Sequence, residues 1–185
     1  MNEEAGMNRK NWIWAMALVS LTAACVKPGS EDSGYTVRSR HDAWSVLCRD
    51  VQANCVAGLD VEDMNGTRIL TISGFLLPEN DKAAVAGFNI MVPARMIAPG
   101  RRDLRVSKAA GLVMSVDHRV ARRYPIEDCE RDFCKVGVGV ERGVLRALET
   151  GKTARLTLVY SGPEERTEVF QIPLSGLAEA IRAAG

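Results

Sequence analysis

From Trp44 to Ile172 the chain is a succession of short β-prone segments divided by turn formers, and this pattern restricts the fold more than any other feature. Trp44-Ser45-Val46-Leu47-Cys48 puts Trp, Val and Cys on one face by simple alternation, as a half-buried strand requires. Asn54 to Leu59 is a candidate partner strand. Asn65-Gly66 is a strong turn pair, and Thr67 to Leu77 continues as a long β-prone run. Gly87 to Val92, Gly111 to Asp117, Cys134 to Val140, Ala154 to Tyr160 and Arg166 to Ile172 bring the set to about eight strands. Such spacing marks an all-β sandwich or barrel. Two helical pieces interrupt it. Glu141 to Glu149 places Val144, Leu145 and Leu148 on one face, with Gly151 as the stop. Near the C-terminus, Ser175 to Arg182 opens on a capping-capable Ser and groups Leu177, Ala180 and Ile181.

A chain of 185 residues with 46% hydrophobic content suits one domain plus a targeting segment, and is too apolar for a disordered polymer. With 24 Lys+Arg against 23 Asp+Glu the formal net charge is +1, so nucleic acid is not an expected partner.

The targeting segment is the N-terminus. Arg9-Lys10, then the apolar run Trp12 to Ala24, then Cys25, follow the order of a secretory signal peptide over residues 1–24. At ~1.5 Å per residue the run reaches about 20 Å, short of a hydrocarbon core of about 30 Å. Leu21-Thr22-Ala23-Ala24-Cys25 resembles a lipobox, which makes Cys25 the expected acyl acceptor and the membrane a partner through that lipid. Residues 25–42, polar and containing Pro, Gly and Ser, read as a tether, and residues 43–185 as the domain. The expected address is the cell envelope: periplasmic, on the outer membrane.

Setting Cys25 aside leaves Cys48, Cys55, Cys129 and Cys134. Export exposes them to an oxidising compartment, so disulfides are expected. Three pairings are open. The local one closes two small loops and stabilises by ~2 kcal/mol per bridge. A four-thiolate zinc site is the rival, but its spacings are wider than structural zinc usually takes. No metal or cofactor is expected.

These residues also carry a family likeness. Trp44-x3-Cys48 followed by Cys55, Met91-Val92-Pro93, Ile97-Ala98-Pro99-Gly100, Cys129-x4-Cys134, Val144 to Ala154, and Ile172-Pro173-Leu174-Ser175-Gly176-Leu177 resemble the invasion-associated locus B family of exported bacterial proteins. The likeness spans residues 43–183. It implies an immunoglobulin-like β-sandwich and a periplasmic or outer-membrane setting. It also implies a link, in a blood-borne pathogen, to red-cell entry and so to virulence. It supplies no reaction and no defined ligand.

Candidate chemistry is sparse. His41 falls in the tether and His118 in a turn; a plain surface role suits both. Asp128, Glu130 and Asp132 around Cys129 read as a solvated loop, and Gly151-Lys152-Thr153 lacks the upstream glycine of a phosphate loop. No enzyme activity is expected. Two basic clusters stand out: Arg101, Arg102, Arg105 and Lys108, then Arg119, Arg122 and Arg123. They could grip phosphate or carboxylate groups, or serve as solvated loops and guarded edge strands. The expectation is a non-enzymatic envelope protein that binds another envelope or host-surface component. The alternative is a periplasmic accessory subunit that stabilises a membrane protein complex.

Overall fold

The computed structural model describes residues 34–49, 54–78, 84–96, 103–162 and 165–185. The expected signal peptide, Cys25, the first part of the tether, Arg101 and Arg102 lie outside the described residues.

Among the described residues, twelve strands form two sheets. The first contains β1 (Thr36–His41), β2 (Trp44–Arg49), β3 (Asn54–Glu62), β4 (Arg68–Leu76), β5 (Ala84–Pro93) and β10 (Phe133–Glu141), in spatial order β1-β2-β3-β4-β5-β10. Five of these are consecutive antiparallel neighbours, so tight turns suffice to connect them. The β3–β4 turn shows the chemistry: the Asp63 carboxylate accepts the N–H groups of Asn65 and Thr67 at 2.8 and 2.9 Å, and Gly66 supplies the positive φ of 75°. The second sheet runs β6 (Arg95–Met96), β7 (Leu104–Val106), β11 (Thr153–Ser161), β8 (Leu112–Val116) and β9 (Arg119–Tyr124), with β12 (Arg166–Pro173) on the other side of β11.

Alternation explains the core. Trp44, Val46 and Cys48 of β2 are buried, as are Ala154, Leu156, Leu158 and Tyr160 of β11. These inward faces merge into one apolar cluster between the sheets. Each fully buried Leu, Val or Ile stabilises by about 1.5–3 kcal/mol relative to exposure. Trp44 also ties the sheets together by donating its indole N–H to the Pro173 carbonyl at 2.9 Å. Strand spacing left a sandwich or a barrel open, and the two-sheet sandwich that the family likeness implied is the fold observed.

Among the described residues two helices close it: α1 (Arg142–Thr150) packs on β10 and β5, and α2 (Leu177–Ala184) packs on β2 and β3. Leu148 is buried from α1, and Leu177, Ala180 and Ile181 from α2. The N–H of Gly151 caps α1 by bonding the Ala147 carbonyl. The cap of α2 departs from expectation. Gly176, left-handed at φ 86°, occupies that position, and the Ser175 hydroxyl donates to the Asp42 carboxylate.

The tether reading of residues 25–42 is corrected at its end. Thr36–His41 is an edge strand paired with β2, and Arg49 lies over the Tyr35 ring at 5.0 Å. An edge strand needs little apolar surface, which is why Arg38, Ser39 and Arg40 can belong to the sheet.

Candidate anion-binding groove

Strands β6 and β7 are short, but their register sets Arg95 directly opposite Arg105. Like charges facing each other across antiparallel strands destabilise the pair. Arg95 is steadied by Asp103 at 3.4 Å and donates to the Arg131 carbonyl at 3.3 and 3.2 Å. The Arg105 guanidinium has no ion-pair or hydrogen-bond partner among the described residues.

Around this pair lies a groove of about 330 Å³, lined by Ala94, Arg95, Arg105, Val106, Lys108, Cys129, Glu130 and Arg131. Its walls are fixed by backbone bonds: Ala94 N–H to the Asp132 carbonyl at 2.8 Å, and Val106 N–H to the Ala94 carbonyl at 3.0 Å. Lys108 is anchored by donating to the Glu127 carbonyl at 3.0 Å. The corner before Ala94 is held by Tyr160, whose hydroxyl donates to the Pro93 carbonyl at 3.1 Å. Burial pushes the Tyr160 phenol far above its ordinary range, so it remains a neutral donor.

The second wall depends on a staple. Cys129 and Cys134 form a disulfide, as do Cys48 and Cys55, so the local pairing of the four cysteines is the one observed. Closing the loop at Cys129–Cys134 holds Glu130 and Arg131 against the groove. Four cations thus face one carboxylate. Planar guanidiniums suit bidentate contact with phosphate or carboxylate, and Lys108 adds a point charge.

The remaining expected residues fall elsewhere. Arg119, Arg122 and Arg123 sit on β9, an edge strand. Arg122 is engaged by Glu141 through two contacts at 3.2 and 3.3 Å. The aliphatic part of Arg123 packs beside Gly111, in the same turn that carries Lys108. His118 has a positive φ of 61° and its Nδ1 meets Arg155 at 3.1 Å, while His41 Nε2 bonds Ser39 Oγ at 3.0 Å. Among the described residues, no group of three His, Cys, Asp or Glu side chains is arranged to hold a metal ion. Sequence reasoning missed Arg95 and Arg131. The position of Arg131 inside the Cys129–Cys134 loop was the signal that could have found it.

Fold and staples together define a disulfide-bridged two-sheet β-sandwich. The sequence model of a family described as invasion associated locus B (IalB) protein matches residues 44–185, and the chain belongs to that family. Among solved structures it is similar to the crystal structure of invasion associated protein b from Bartonella henselae, with a TM-score of 0.64 and 18% identity, covering 79% of this chain and 94% of that one. No curated protein matches the chain.

Proposed function

We propose that the protein is exported to the cell envelope, anchored by a lipid on Cys25, and works there as a non-enzymatic binding protein. Its groove takes a phosphate or carboxylate group carried by an envelope or host-surface component. The observation that carries this reading is the cross-strand pair Arg95 and Arg105, beside Lys108 and Arg131 in one groove. A bound anion relieves the repulsion between the two guanidiniums, so ligand binding and local stability reinforce each other. The lipid and the polar segment after it keep the domain near a membrane surface, where phosphate-bearing headgroups are dense.

Co-sedimentation with vesicles tests the groove. The mature protein is mixed with vesicles carrying phosphate-monoester lipids, or with neutral vesicles, beside the double variant R105E/R131E. The expected result is binding to the anionic vesicles alone, weakened roughly tenfold or more in the variant and falling with salt. Equal retention of wild type and variant overturns the groove. Recovery of the native protein in a stoichiometric complex with one inner-membrane assembly, unaffected by the variant, favours the accessory-subunit alternative instead.

A further inference from the structure

Strand β12 is an open edge that the fold leaves unguarded. It pairs with β11 over eight successive residue pairs without a bulge, and its other side meets no strand among the described residues. The direction of its outer groups follows from three bonds. The Pro173 carbonyl points away from β11, since it accepts the Trp44 indole N–H. Opposite Pro173, Thr153 turns its own carbonyl the other way, to the Asp117 N–H. Further along β11, Val159 likewise turns its carbonyl away from β12, to Ser107. Antiparallel alternation then directs the N–H and C=O groups of Thr167, Val169 and Gln171 outward. The side chains of these three residues are exposed, and Val169 is a large hydrophobic left 41% accessible.

Other edges carry devices against strand addition. β1 has a bulge between Val37 and Ser39 and carries Arg38, Arg40 and His41. β9 carries Arg119, Arg122 and Arg123. β6 is two residues long. The outer side of β10 is occupied at its start, where Glu127 and Asp128 bond Lys135, and at its end Glu141 is bound by Arg122. β12 is covered only at its last residue, where Trp44 bonds the Pro173 carbonyl. Its charges, Arg166 and Glu168, neutralise each other at 2.8 Å, and its proline stands at the last position. A long, flat edge without guards is a template for another strand.

We propose that two copies of the chain join edge to edge through β12, antiparallel, with Val169 on the two-fold axis. The sequence of the strand is self-complementary in this register. Val169 meets Val169 of the second copy and Thr167 meets Gln171, so the outward groups of both strands form hydrogen-bonded pairs. On the inward face Glu168 falls opposite Phe170 and Arg166 opposite Ile172, so no like charges are brought face to face. The net charge of +1 offers little repulsion between copies. The two second sheets become one continuous sheet, and the two grooves are presented as a pair.

Sedimentation velocity on the protein purified from membranes, over a concentration series, tests this. The expected species has twice the mass of one chain. V169K places two ammonium groups opposite each other and weakens association roughly tenfold or more, whereas V169T retains it. In a second arm, mild oxidation of V169C gives a disulfide-linked dimer, while M64C, at a fully exposed turn, does not. Wild type that stays monomeric at every concentration overturns the proposal. So does a dimer indifferent to V169K, or equal cross-linking of V169C and M64C. Should V169K fail to fold, the cross-linking arm decides alone.

Discussion

The Asp117 carboxylate accepts the Thr153 N–H at 3.0 Å while the Asp117 N–H donates to the Thr153 carbonyl at 3.0 Å, so one residue in the β8–β9 turn latches the start of β11. The Lys152 N–H adds further bonds at 3.2 and 3.1 Å. The Thr153 and Lys152 donors hold the Asp117 pKa below the usual value of 3.8. A lowered folded-state pKa stabilises the fold above the unfolded value, and that contribution disappears as pH falls through the folded value. D117N keeps a side chain that tolerates the positive φ of 45° and removes the charge. It should melt below wild type at neutral pH, and the gap should narrow as pH drops below 3.8, as thermal scans across pH will show.

Two buried tyrosines make opposite predictions. Tyr160 has a partner in the Pro93 carbonyl, whereas the Tyr124 hydroxyl is buried with none among the described residues. Burial raises the pKa of both phenols. Y160F strands a carbonyl and should cost about 1–2 kcal/mol in urea unfolding. Y124F removes an unsatisfied hydroxyl and should be neutral or stabilise by up to about 1 kcal/mol.

Gly176 is set by the close approach of two chain segments. Its φ is 86°, and a Cβ there would collide with the His41 carbonyl oxygen at the end of β1. G176A should destabilise by about 2 kcal/mol or more, since a left-handed alanine alone costs ~1–2 kcal/mol. Gly143 in α1 is the control. Open space surrounds it, and G143A should stabilise by about 0.5–1 kcal/mol in the same unfolding assay.

Strands were legible where burial writes alternation into the chain. Trp44, Val46 and Cys48, or Ala154, Leu156 and Leu158, reveal both element and inward face. β1 was not legible, and β9 was so only as the guarded edge strand among the readings of its arginine cluster. Exposed edge strands need no apolar period, so Thr36–His41 resembled a tether and Arg119–Tyr124 a charge cluster. The cysteine pairing followed local separation, seven and five residues. The groove did not, because Arg95 faces Arg105 through β6–β7 register and reaches the Arg131 carbonyl 36 residues away. Contacts of that range depend on how sheets register, which no local pattern encodes.

The two disulfides should be separable by function. Each closes a short loop and should contribute ~2 kcal/mol. C48A/C55A and C129A/C134A should therefore lose similar stability in denaturant titrations. Only the second releases the loop that holds Glu130 and Arg131 at the groove and presents the Asp132 carbonyl to Ala94. If the groove binds anions, C129A/C134A should weaken vesicle binding severalfold under conditions where both variants remain folded. C48A/C55A, whose bridge joins β2 to β3 toward the opposite edge of the sheet from β10, should bind as wild type does. Equal binding by both variants would mean that the staple serves stability alone and that Arg131 does not depend on it.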